Sequence, residues 1–204
     1  LTEYPPNEAG DLARRHLAEG DATGWFEALY ARATASGDGV PWARLAPHPA
    51  LVAWLAEAGQ PAAGARALVV GCGLGDDAEA AAGHGYRVTA FDVSASAIEL
   101  CHERFPASRV TYLTADLFAP PDRWLQGFDL VIEHATVQSL PPDLHENALR
   151  QIAGFVAPRG ALFLLAAVRD ASLTPSGPPW PVAAAALAAV EQAGLRRERY
   201  AEHR

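Results

Sequence analysis

Two hydrophobic periods divide the chain. Over the first 60 residues the apolar positions recur at helical spacing. "EAGDLARRHLAEG" and "TGWFEALYARATASG" each read as a helix closing at a glycine. "HPALVAWLAEAGQP" reads as a third, with Leu51, Trp54 and Leu55 on one face and a stop at Gly59. The period then shortens. "RALVV" is a continuous apolar run of the kind buried on both faces of a parallel sheet. "YRVTAFD" and "RVTYLTAD" are rich in β-branched and aromatic residues, and "FDLVIE" and "ALFLLAAV" are apolar runs. Helical segments lie between them: Asp76–Ala82, "SASAIELCHERF" with a serine N-cap, "PDRWLQ", and "PPDLHENALRQIAGFV". A helix over Val182–Ala193 and a strand-like "LRRERYAEH" end the chain. This alternation predicts an α/β fold, a mostly parallel sheet with right-handed crossovers and helices on both faces. One domain over 1–204 is expected, with 1–60 as a helical cap and 61–204 as the core.

Composition excludes more than it specifies. The chain has 204 residues, half of them hydrophobic, enough for a full core. A net charge of -8 argues against nucleic acid and anionic membranes as partners. No apolar run reaches the roughly 20 residues that span a bilayer. With no signal peptide in view either, a cytoplasmic protein is expected. Two cysteines are too few for a disulfide framework, and none of the seven histidines falls in an HxH or HxxxH pattern, so no metal is expected. The chain lacks methionine, a starter included, so it is read as part of a longer product. No feature sets an oligomeric state.

Ligands of open α/β sheets bind beyond the carboxyl ends of the strands. The first strand leaves into "GCGLGDD", with glycines at 71, 73 and 75. The next three leave at Asp92, at Asp116 and at Glu133-His134. An acid at the tip of the second strand can accept hydrogen bonds from two ribose hydroxyls, the logic shared by dinucleotide and S-adenosylmethionine sites. Asp116 could accept from an exocyclic adenine amine, unless it only caps the following turn. Gly73-Leu74-Gly75-Asp76-Asp77-Ala78 formally matches the dinucleotide pattern G-x-G-x-x-A, which keeps an NAD(P)-dependent oxidoreductase in play. Charge weighs against it. A pyrophosphate at that helix start would meet Asp76 and Asp77, at a cost of about 1 kcal/mol per charge pair at 4 Å even in water. The same acids also suit the helix dipole. S-adenosylmethionine carries a sulfonium and an ammonium, and no phosphate.

With those residues assembled, the chain resembles the class I S-adenosylmethionine-dependent methyltransferases. It is most similar to the branch of thiopurine S-methyltransferases and related halide and thiol methyltransferases. "GWFEALYARATASGDGVPW" resembles that branch's helical lid, and "LVVGCGLGDDAEAAAGHGYRVTAFDVSASAI" its glycine loop and second-strand acid. "FDLVIEHATVQSLPP" matches the segment after strand four, and "SGPPWPV" the run after strand five. The resemblance implies a Rossmann-like sandwich with an N-terminal lid. It sets Trp25 against the cofactor and Trp42 between cofactor and acceptor. Gly71, Cys72, Gly73 and Gly75 border the methionine moiety, Asp92 and Val93 the ribose, and Asp116 and Leu117 the adenine. Glu133 and His134 face the methionine end or the acceptor, and Tyr30, Gln138, His145 and Trp180 line the acceptor pocket. Cys72 reads as a small packed residue rather than a nucleophile.

Three departures stand out. Val69 occupies a position near the end of strand one where many relatives in the wider superfamily have an acid. His134 stands where thiopurine enzymes tend to have arginine. The chain ends about where a sixth strand would end, one strand short of the usual final hairpin. The expected activity is methyl transfer from S-adenosylmethionine to a small-molecule acceptor, a thiol or another soft nucleophile, leaving S-adenosylhomocysteine. O- or N-methyl transfer with His134 as base is the alternative. A non-catalytic binding protein of the same fold is a further one.

Overall fold

In the first strand Ala67 and Val69 point to one side and Leu68 and Val70 to the other, and all four are buried. That two-residue alternation builds two cores back to back. The computed structural model describes residues 8–170 and 177–201. Its main sheet has five parallel strands: β1 (Arg66–Val70), β2 (Arg87–Asp92), β3 (Thr111–Thr114), β4 (Phe128–His134) and β5 (Val156–Leu165). They lie in the order β3-β2-β1-β4-β5, so the chain reverses direction between β1 and β4. The expected parallel α/β sandwich is present, with helices on both faces.

One core packs α3 (Pro49–Ala58), α4 (Asp76–Gly83) and α5 (Ala95–Arg104) on the sheet through Leu51, Leu55, Ala78, Ala81 and Ile98. The other packs α6 (His145–Gly154) and α7 (Ala188–Gln192) against Leu68, Phe91, Phe128 and Val131. A third cluster joins α1 (Glu8–Ala18) and α2 (Gly24–Tyr30) to Leu74, to Ala97 and Leu100 of α5, and to Trp180. The N-terminal helices therefore sit over the carboxyl end of β1 and β2. Ser94 caps α5 as expected, accepting from Ala97 N–H at 3.0 Å.

Four expectations change. The helix expected over "TGWFEALYARATASG" ends at Tyr30, and the chain reaches Gly37 through turns. The helix expected over Val182–Ala193 starts late. Val182 N–H bonds Ala167 O at 2.8 Å, and β7 (Val182–Ala183) pairs with β6 (Val168–Arg169) before a 3-10 turn leads into α7. "PDRWLQ" forms only a 3-10 turn over Asp122–Trp124. "LRRERYAEH" forms no strand over 195–201, and its last two residues lie outside the described residues. Leu195 alone packs on the core, while Arg197 pairs with Glu191 and Arg199 with Glu57. Charges on both faces of that segment leave no apolar side for a sheet. No helix among the described residues is long and apolar enough to cross a membrane.

Candidate functional site

The glycine turn between β1 and α4 is shaped by close contacts. Gly71, Gly73 and Gly75 have φ of 57°, 51° and 87°. A Cβ on Gly71 would overlap Thr136, one on Gly73 would lie 2.8 Å from Tyr30 Oη, and one on Gly75 would lie 2.7 Å from Tyr112 Oη. Left-handed backbone and the absence of room both select glycine. The turn thus meets α2, β3 and the loop after β4 at once.

At the β2 edge, Asp92 is buried and already engaged. Its Oδ2 accepts Gly73 N–H at 2.9 Å, and its Oδ1 accepts Ser94 N–H at 3.0 Å. Burial raises its pKa against the pull of those amides. Val93, half-buried, links it to the α5 cap. Glu27 of α2 reaches the same spot: Ser94 Oγ and Ser96 Oγ each donate to it at 2.7 Å, and Ser96 N–H donates at 3.1 Å. Burial works against the Glu27 charge, but the serine hydroxyls and amides outweigh it and hold the carboxyl below its ordinary value. Nothing in the sequence links Glu27 to serines almost 70 positions away.

Asp116 lies beyond β3, exposed, and accepts Phe118 N–H at 2.8 Å, a turn of its own making. Leu117 faces the core with Phe91 and Trp124.

The β4 edge is different. Glu133 is fully buried. Its Oε1 accepts Val137 N–H at 3.0 Å, while Oε2 has no partner among the described residues. Burial pushes its pKa up to about 7. His134 Nδ1 lies 2.7 Å from Asp77 Oδ2, and Asp77 Oδ1 accepts the backbone N–H of His48 at 2.8 Å.

Aromatic side chains of α2 and of the loop after it pack beside the glycine turn. Trp25 is fully buried, stacked on Phe26 at 3.9 Å and edge-on to Trp42 at 6.0 Å, with its Nε1 unpartnered. Trp42, 44% exposed, donates through Nε1 to Tyr30 Oη at 3.2 Å. Burial, then the Asp92 charge, raises the Tyr30 pKa well above its usual value. Trp180 is buried in the cluster of Trp25 and Tyr30. Of the other two residues expected to line an acceptor pocket, both have structural partners. Gln138 Oε1 accepts Ala167 N–H, and His145 bonds Leu140 O at 2.8 Å.

The acids after the glycine turn are not bare charges. Arg104 grips Asp76 through both Nη atoms at 2.7 and 2.8 Å, and Asp77 is tied to His134. Arg104 therefore offsets the expected repulsion of a pyrophosphate by Asp76, while Asp77 keeps its charge beside His134. Cys72, half-buried beside buried Cys101, is a free thiol whose pKa is raised, first by its hydrogen bond with the Cys101 thiol and then by burial. It is no activated nucleophile. Among the described residues, no cluster of His, Cys, Asp or Glu has a metal-binding arrangement.

The sheet order, the glycine turn and the helices on both faces define the Rossmann-like methyltransferase sandwich. A structure from work on conversion of a disulfide bond into a thioacetal group during echinomycin biosynthesis superposes with a TM-score of 0.65, at 24% identity over 82% of this chain and 76% of that one. A magnesium protoporphyrin IX methyltransferase from Synechocystis PCC 6803, with bound S-adenosylhomocysteine, gives 0.58 at 20% identity over 71% and 70%. Residues 34–203 match the model of the thiopurine S-methyltransferase family, and the chain belongs to that family. A probable thiol methyltransferase 2 of Arabidopsis thaliana is 30% identical over 178 residues, covering 84% of this chain and 73% of the relative. The protein is accordingly an S-adenosylmethionine-dependent methyltransferase.

Proposed function

We propose that the acceptor is a small thiol, methylated in a site that α2 and its aromatic side chains close over the glycine turn. One observation carries this reading: Trp25, Tyr30 and Trp180 are buried in one apolar cluster beside the glycine turn, with Tyr30 Oη against Gly73. Such a cluster favours a small, soft, weakly hydrated nucleophile over a phosphorylated or multiply charged one. The likeness to a probable thiol methyltransferase supports the same acceptor.

The residues fit S-adenosylmethionine. Its methionine end carries an ammonium donor and a carboxylate acceptor. Glu133 Oε2 is a buried acceptor and Trp25 Nε1 a buried donor, each without a partner among the described residues. Unpaired buried polar atoms of this kind are costly unless a ligand completes them. Gly71, Cys72, Gly73 and Gly75 would border the methionine chain, Asp92 and Val93 the ribose, and Asp116 and Leu117 the adenine. Trp42 and His134 would flank the acceptor with Tyr30 and Trp180. The bound cofactor supplies an electrophilic methyl group; the protein holds the acceptor in line and excludes water.

The test is an acceptor panel with methyl-labelled cofactor: hydrogen sulfide, alkanethiols, arenethiols, a thiopurine, iodide, a phenol and an amine. The highest kcat/KM is expected with a small thiol. A phenol or an amine at the head of the panel would replace this reading with O- or N-methyl transfer.

A further inference from the structure

His134 is fixed through one ring nitrogen, and its partner is fixed in turn. Burial raises the Asp77 pKa, yet the His134 contact and the His48 amide outweigh burial and hold the carboxyl below its ordinary value. Asp77 is therefore ionised and can only accept hydrogen bonds. The proton in the 2.7 Å contact belongs to Nδ1, and a neutral His134 carries its lone pair on Nε2. Nε2 makes no hydrogen bond among the described residues.

The other titratable neighbours are His48 and Glu133. The His48 ring stands edge-on to His134 with centroids 4.8 Å apart, and its Nδ1 accepts Ala50 N–H at 3.1 Å. Glu133 directly precedes His134 at the end of β4. Asp77 side-chain atoms are mostly buried, at 14% exposure, so solvent does not screen the pair away.

We propose that Asp77 is a positioning residue that makes His134 the general base, so that the acceptor enters as a protonated thiol and not as an anion. The proposal rests on the thiol reading above. As the thiol sulfur attacks the methyl carbon, its S–CH3 bond forms and the sulfonium–carbon bond breaks, with that electron pair leaving on S-adenosylhomocysteine. The S–H proton passes to His134 Nε2 and then to water.

The first experiment needs no turnover. Nitrogen-15 NMR of the free protein, with the His134 signals assigned from His134→Gln, reports which ring nitrogen holds the proton. Nδ1–H is expected in the wild type. Asp77→Asn, whose amide can donate to Nδ1 while its oxygen keeps the His48 contact, should convert it to Nε2–H. Kinetics follow. Asp77→Asn and His134→Gln should each lower kcat/KM for an alkanethiol about 100-fold, the scale of general-base catalysis. The loss should shrink steadily as more acidic arenethiols are used, because those ionise unaided. His134→Gln leaves Asp77 and the His48 contact in place, so it answers the objection that Asp77→Asn only disturbs folding. An Nε2–H tautomer in the wild type overturns the proposal, as does an equal loss across all thiols, with methyl transfer to thiols left standing. A wild-type protein that turns over no thiol removes the acceptor reading and this proposal with it.

Discussion

Two edges of the same sheet end treat their buried acids in opposite ways. At the β2 edge, both oxygens of Asp92 and both of Glu27 are engaged by amides and hydroxyls of the turn and the α5 cap. At the β4 edge, Glu133 is more deeply buried but has an oxygen with no partner among the described residues. The first edge is complete without a ligand and holds α2 in place. The second stores a desolvation cost that a cationic ligand group would relieve. The difference separates carboxylates already held by the protein from one that a ligand donor could complete.

The largest expected effect breaks the comparison at Glu133. Its folded pKa of about 7 lies above the ordinary 4.5, so between those values the folded protein binds the extra proton. Unfolding free energy therefore falls as pH rises from about 4.5 through 7, by about 3 kcal/mol for a shift of that size. Urea melts of wild type and Glu133→Gln across that range should show the decline only in the wild type. S-adenosylhomocysteine, whose ammonium would pair with the carboxylate, should stabilise the wild type more at pH 8 than at pH 5. Parallel curves for the two proteins would mean that Glu133 is solvated or paired after all.

Asp92→Asn probes the completed edge. An amide can offer one acceptor where the carboxylate offers two, so it faces Gly73 N–H or Ser94 N–H with a donor. Loss of a charged acceptor there should raise the S-adenosylhomocysteine Kd by about 30-fold in calorimetry, near 2 kcal/mol. An unchanged Kd would move the ribose away from β2.

The two edges were not equally legible in the sequence. Local signals carried the sheet: the apolar run of "RALVV", the Ser94 cap and the glycine turn all depend on neighbours within a few positions. Strand exits gave Asp92, Glu133 and His134 as residues at one end of the sheet. What remained hidden was pairing at a distance. Asp76 with Arg104 and Asp77 with His134 join positions 28 and 57 apart, and they turn two apparent repulsive charges into fixed contacts. The tail failed for the converse reason. "LRRERYAEH" has strand-like alternation in part, yet lacks a consistent apolar face to bury.

The smallest effect concerns how α2 is held down. Glu27 binds the α5 cap through three hydrogen bonds from Ser94 and Ser96, and the loop that follows α2 carries Gly37 and Gly39 in left-handed conformations. If this contact latches a lid, the protease-sensitive state is the one in which it is broken, and cleavage follows the population of that state when reclosing is fast. Glu27→Gln keeps the size and loses the charge, weakening the latch by about 1 kcal/mol. Cleavage near Gly37–Gly39 in the ligand-free protein should then run about fivefold faster. S-adenosylhomocysteine should slow cleavage in both proteins, since contacts to Trp25 as proposed would not depend on Glu27. Equal rates with and without ligand in the wild type would mean that α2 is a fixed wall, and the two edges would then differ only in chemistry and not in motion.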